Sequence, residues 1–173
     1  EGRCVGGSTE INSGLYHRPS QALLEGWTRG WAIEHLTSES MSPISDAIER
    51  NLQVSSFPDA VPTASAFLTR GADRLGWRSA EVPRWFRHDT GQRQSMSLTY
   101  LAHARRLGAE LVSGAWVRRL EISGGRAVAA EVEHSDGRVE RIGFDTVFVC
   151  GGAVQTAALL LRSRVRRNVG RTL

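Results

Sequence analysis

Lysine is missing altogether: the chain has 173 residues, and all 22 basic ones are arginine, set against 18 acidic ones. The formal charge of +4 and an isoelectric point near 10.0 would suit a nucleic-acid partner. Arginine without lysine, spread along the whole chain, instead reads as the compositional bias of a GC-rich coding sequence. The densest cluster, Arg162-Ser163-Arg164-Val165-Arg166-Arg167, suits a solvated helix end, where cations complement the negative pole. No nucleic-acid partner is expected.

Cysteine is scarce. Cys4 and Cys150 lie at opposite ends, with no CxxC and no ligand-like spacing to histidine, so neither a disulfide framework nor a metal site is expected. No run approaches the roughly 18 apolar residues of a membrane span. The chain opens on Glu1 rather than Met, with no charged-then-apolar leader before it. It therefore reads as starting inside something longer or as trimmed. Internal repeats and low-complexity tracts are absent. What remains, 40% hydrophobic and 23% charged residues, describes an ordinary globular chain able to bury one sizeable core.

Periodicity divides the chain in two. Up to Gly108 the pattern is helical. Short amphipathic pieces at 21–27 and 31–36 are separated by Gly30, with Trp27 and Trp31 on one face and read as core. A helix starts near Ser42-Pro43 and runs to Leu52, and another, capped by Thr63, runs to Leu75. Residues 77–94 read as an irregular surface segment with one short turn at Trp85-Phe86. Ser95 or Ser97 caps a helix over 98–107. Beyond it the period becomes two: strands at 110–112, 116–122, 127–133 and 139–144, with turns at Gly124-Gly125 and Asp136-Gly137. The uniformly apolar Thr146-Val147-Phe148-Val149-Cys150 reads as a strand covered on both faces. Gly151-Gly152 then turns it into a helix over 153–162. Strand, Gly-Gly, helix is a construction that brings backbone N–H groups onto a dinucleotide. The usual GxGxxG is missing here, so this is not a primary pyrophosphate site.

The opening residues are the other candidate. In Gly6-Gly7-Ser8-Thr9 two glycines let backbone approach a ligand closely, and free N–H groups at a helix start can cradle a phosphate or a flavin edge. Asn12 adds a donor and an acceptor. By physics alone such a run is more often an ordinary turn.

The order of residues is more informative. Gly6-Gly7-Ser8-Thr9-x-x-Asn12-x-Gly14-x-x-x-Arg18-Pro19 resembles the first signature of the glucose–methanol–choline (GMC) family of FAD-dependent oxidoreductases. Val147 to Ser163, followed by Asn168-Val169-Gly170-Arg171-Thr172-Leu173, resembles the second. Thr99-Tyr100-Leu101 and Arg106-Leu107-Gly108-Ala109 are similar to the long-chain alcohol oxidase branch. The resemblance implies an α/β fold: a partial FAD-binding, Rossmann-like domain with an antiparallel β-meander and part of a substrate-binding domain. Residues 1–30 and 95–173 would belong to the FAD domain and 31–94 to the substrate side.

It also implies roles. Gly6, Gly7, Ser8 and Asn12 would contact FAD, with Gly14 keeping the chain close. Val117 would meet the adenine through its backbone, and Gly151 and Gly152 would lie beside the cofactor. Some relatives bond the flavin covalently through a histidine just before the motif's Asn; Ile11 stands there, so FAD is expected to be non-covalent. Thr156-Ala157 replaces the usual Thr-Pro, a small change, since proline is tolerated rather than required in a first helical turn. Larger departures are the family's opening strand–GxGxxG–helix unit and its catalytic histidine pair, neither of which is found. None of His17, His35, His88, His103 or His134 has the family's context, so no catalytic residue is assigned.

The expectation is an FAD-dependent oxidoreductase of an alcohol CH–OH group, cytoplasmic, acting on a small-molecule alcohol. Residues 1–173 alone are expected to be inactive, the remainder being missing sequence or a second chain. The alternative is a non-catalytic FAD- or partner-binding remnant.

Overall fold

The computed structural model describes residues 2–171. They form two compact units, Glu1–Glu110 and Leu111–Leu173. These say which residues pack together, whereas the three segments above divide the chain by signature.

The first unit is helical around a small sheet. A 3-10 turn, Gly7–Glu10, precedes helix α1, Gln21–Trp31. The Ser20 hydroxyl accepts from Leu23 N, which supplies one of the bonds a helix start lacks. α1 runs through Gly26 and Gly30 rather than dividing at Gly30, and stops where Ala32 turns left-handed, φ 53°. The expected helix over 31–36 is therefore not formed, and Trp31, 77% exposed, is not core. A helix interior tolerates glycine at about 1 kcal/mol, so Gly30 weakens α1 without ending it.

Helix α2, Ser38–Leu52, begins earlier than the Ser42-Pro43 signal. Thr37 and Ser40 cap it reciprocally, and that box outweighs the one N–H bond Pro43 gives up inside the helix. Helix α3, Thr63–Arg74, follows the loop, but Thr63 is its first residue rather than its cap: Pro62 holds the cap position and no side chain caps it.

Residues 77–94 are not irregular throughout: they contain strands β2, Arg84–Arg87, and β3, Gln92–Arg93. With β1, Val54–Ser55, they make an antiparallel sheet in the order β1-β2-β3. Each strand is too short to show a period of two. Leu15 bridges to Arg84, and Trp85 N donates to Gly14 O at 3.0 Å, so the opening motif is attached to this sheet. Helix α4, Tyr100–Arg106, starts after Thr99 rather than at Leu98. Neither Ser95 nor Ser97 is its cap, although Ser95 O accepts from the N–H groups of Leu98 and Thr99.

The second unit matches its pattern closely. Strands β4 (Ala115–Ser123), β5 (Arg126–His134) and β6 (Val139–Gly143) form the meander in sequence order. Alternation buries Leu120, Ala130 and Val132 on one face, against Val117, Phe144, Val149 and Leu159. The Asp136-Gly137 turn is held by Asp136 Oδ1 accepting from Arg138 N, with Gly137 at φ 83°. Helix α5, Gly152–Arg162, starts at the expected Gly-Gly bend.

Two expected strands of this unit are not formed. Residues 110–112 and 146–150 carry no ladder, and Phe148 is 85% exposed. A strand is a pairing, and no described strand lies beside the 146–150 run to pair with it. Only Val149 of that run packs on the core. The α/β class holds, with every ladder among the described residues antiparallel.

Candidate functional site

In the first unit the candidate site is the Gly6–Gly14 loop. Gly6 and Gly7 are both left-handed, φ 88° and 58°, a conformation other residues adopt only with strain. Gly7 N donates to Cys4 O at 2.9 Å, and Ser8 O accepts from Asn12 N at 3.0 Å. No side chain caps the 3-10 turn at Gly6. The Ser8 hydroxyl takes Gly2 N. Asn12 Oδ1 accepts from Gly14 N at 3.0 Å, leaving the exposed Asn12 amide NH2 as the available donor.

The three glycines have different surroundings. A Cβ on Gly7 would meet nothing within 4 Å, one on Gly6 would run into the Glu10 carboxylate, and one on Gly14 into the Trp85 ring. The Cβ side of Gly7 is therefore open to a ligand, although Gly2 lies against its carbonyl, while Gly6 and Gly14 leave room for side chains of this chain.

Residues 93–97 hold this loop, a role not expected of them from their sequence. Thr9 Oγ1 donates to Gly6 O at 2.5 Å and accepts from Met96 N at 3.1 Å. Arg93 donates to Glu10 O at 2.7 Å, and the Ser97 hydroxyl to Glu10 Oε1 at 2.6 Å. Hydrogen bonding from Ser97, helped by Ser95, holds the Glu10 carboxyl below its ordinary value. The only trace of this in the sequence is the polar run Gln92-Arg93-Gln94-Ser95-Met96-Ser97, whose serines read equally well as helix caps.

The same unit contains a cleft of about 1010 Å³ along α3, lined by Leu15, Phe57, Phe67, Leu75, Trp77 and Arg84 among others. Leu15 follows Gly14 directly, so the cleft begins where the glycine loop ends. His17, the histidine nearest the loop in sequence, is exposed.

In the second unit, Val117 sits on β4 opposite Val132, where the register shifts before Arg119. This places a bulge at Arg118, a device that re-aims backbone groups. Arg162 belongs here rather than to a purely solvated helix end. Its Nε donates to Arg118 O at 2.7 Å, and both Arg118 and Arg162 lie over the Trp116 ring. Next to it, Ser163 accepts from Leu120 N and donates to Leu159 O, each at 2.7 Å. Both residues tie α5 to β4. At the other end of α5, Gly151 provides no side-chain cap and Gly152 is left-handed, φ 78°. The first N–H groups of α5 thus have no side-chain acceptor, the arrangement an anionic ligand uses.

Each unit carries features of its own that suit a phosphate-bearing cofactor: in the first, the open Cβ side of Gly7 and the amide donor of Asn12; in the second, the uncapped helix start after Gly151. The GMC oxidoreductase family profile matches residues 1–173, and the chain belongs to that family of oxidoreductases, which implies a flavin cofactor. Over 188 residues it is 34% identical to a GMC-type oxidoreductase of Sinorhizobium fredii, covering all of this chain and 37% of that protein. It is 31% identical over 174 residues to one of Mycobacterium tuberculosis, covering 94% of this chain and 28% of that protein. The chain therefore spans between 28% and 37% of the length of these two relatives. The crystal structure of pyridoxine 4-oxidase from Mesorbium loti superposes with a TM-score of 0.78 at 21% identity, over 94% of this chain and 36% of that one. At that identity the similarity shows the shared fold. The two relatives carry no stated substrate, so they do not single out the long-chain alcohol oxidase branch. No helix among the described residues is long and apolar enough to cross a membrane.

Proposed function

We propose that the full-length protein is an FAD-dependent oxidoreductase of an alcohol CH–OH group, with Gly6, Gly7, Ser8, Asn12, Gly14, Val117, Gly151 and Gly152 forming its cofactor seat. The observation that carries the reading is the Gly6-Gly7 turn, which resembles the family's first signature and is open on the Cβ side of Gly7. When bound, FAD supplies the hydride-accepting chemistry. The residues of this chain bind and orient. Gly7 lets backbone lie against the cofactor, Asn12 donates through its amide, and the start of α5 presents N–H groups to negative charge. Val117 offers backbone polar groups to the adenine from a strand whose register is fixed by the meander. Gly14 serves the seat indirectly, by making room for the ring of Trp85 beneath the loop. The cleft beside Leu15, largely apolar in its lining, is assigned to the alcohol's carbon skeleton.

Ile11 at the position of the covalent histidine supports a dissociable flavin. The test is to purify the full-length protein, record the visible spectrum and precipitate it with acid. Flavin bands are expected before precipitation, and a yellow supernatant with a colourless pellet after it. A colourless protein that takes up no added FAD would sink the reading, and a yellow pellet would sink the non-covalent part. In the same protein, Gly7→Val is expected to lower FAD affinity by at least about tenfold, because a branched side chain would both strain φ and fill the open side. An unchanged affinity would remove Gly7 from the seat.

A further inference from the structure

We propose that Glu10 and Ser97 are a positioning pair: the carboxylate, folded back over Gly6 and gripped by the Ser97 hydroxyl, holds the Gly6–Gly7 turn in the shape that meets its ligand. The inference rests on the flavin reading above, and it assigns a role to two side chains that lie outside the matched signature residues.

The physical need comes from the turn itself. Two consecutive left-handed glycines, φ 88° and 58°, have more backbone freedom to lose on ordering than other residue types. Left alone, such a segment populates many shapes, and a ligand would have to order it at the expense of affinity. Here the freedom is removed from outside. Backbone and Thr9 are held by residues 93–96, through Arg93 on Glu10 O and Met96 N on Thr9 Oγ1. Those bonds fix the end of the turn but leave the space above Gly6 open. Glu10 fills it: its carboxylate stands where a Gly6 Cβ would be. Ser97 then fixes the carboxylate at 2.6 Å, and Ser97 is itself bonded to Ser95 at 3.1 Å. Ser95 is almost fully buried, at 2% exposure, so the chain of contacts ends in a rigid residue. A longer or shorter side chain at position 10 could not both cover Gly6 and reach Ser97.

The test uses the full-length flavoprotein, stripped of FAD and then titrated with it, as wild type and as five variants: Glu10→Ala, Glu10→Gln, Ser97→Ala, Ser97→Thr and the Glu10→Ala/Ser97→Ala double. Amide exchange at Gly7–Glu10 is followed in the FAD-free form. Glu10→Ala and Ser97→Ala are each expected to weaken FAD binding about tenfold, the scale of one charge-assisted hydrogen bond. The double should lose no more than the worse single, because either change breaks the same link. Ser97→Thr keeps the hydroxyl and Glu10→Gln keeps an acceptor, so both should stay within about threefold of wild type, less than half a hydrogen bond's worth. Exchange at Gly7–Glu10 should quicken in the alanine variants while the amides of α4 stay unchanged. Additive losses in the double, or alanine variants that match wild type in both affinity and exchange, would overturn the pair. Should Glu10→Ala fail to fold, Ser97→Ala and its rescue by Ser97→Thr carry the test. A wild type that takes up no FAD contradicts the flavin reading instead, and the exchange measurement still decides the pair.

Discussion

Gly14→Ala is expected to destabilise the first unit by about 3 kcal/mol, among the larger effects a single substitution produces. Two causes add. Gly14 is left-handed at φ 69°, which costs a residue with a Cβ about 1–2 kcal/mol. The new methyl group would also stand within the ring of Trp85, 2.5 Å from its Cδ1. The backbone of Trp85 cannot step aside cheaply, because it is held from both sides: the main-chain N–H donates to Gly14 O, and the carbonyl accepts from Gln94 N, each at 3.0 Å. Moving it would loosen β2, the strand to which the opening loop is attached. Urea unfolding of wild type and variant measures the loss. In a Trp85→Ala background the collision is gone, so the same substitution should then cost only the backbone part, about 1–2 kcal/mol. A Gly14→Ala protein within about 0.5 kcal/mol of wild type would mean that the glycine is not needed for this packing.

Ser163→Ala is the counterpart in the second unit. β4 is an edge strand among the described residues, in the order β4-β5-β6, and the Leu120 N–H is taken by the Ser163 hydroxyl. Ser163 is 6% exposed and Leu120 5%, so alanine would leave a buried N–H with no partner and no water at hand. Such an orphan costs about 1–3 kcal/mol, and about 2 kcal/mol is expected here. The Leu159 carbonyl loses less, since it keeps its bond from Ser163 N. Ser163→Thr retains the hydroxyl and should recover most of the loss. The denaturation midpoint should fall with an unchanged slope. Stability equal to wild type would show that α5 is held to the meander by its apolar contacts alone.

These two sites show what the sequence reveals and what it hides. The meander was legible because each strand is long enough to alternate and each turn has its own chemistry: Gly124-Gly125 and Asp136-Gly137 leave no other reading. Helix α5 was legible from its apolar run after Gly151-Gly152. Strands β2 and β3 were not, because four residues and two residues carry no period, and Arg84 and Arg87 look like surface. The 146–150 run failed in the opposite way. Its composition suits a covered strand, but a ladder depends on a neighbour, and composition cannot provide one. Among the candidate site residues, the matched signature drew attention to Gly6, Gly7 and Asn12. Glu10, Arg93 and Ser97 stayed hidden because their contacts join positions more than eighty residues apart, and nothing local to either end announces the other. Ser163 stood out only as the end of the second signature and as a member of an arginine cluster, and it is its hydroxyl that ties α5 to β4.

The measurement that goes most directly to the central claim is amide exchange on the full-length protein with FAD bound and with FAD removed. If both glycine turns contact the cofactor, amides across Gly6–Asn12 and across Gly151–Thr156 should both slow when FAD is present, while the Asp136-Gly137 turn stays unaffected. Slowing at only one of the two turns, or at neither, would contradict the account.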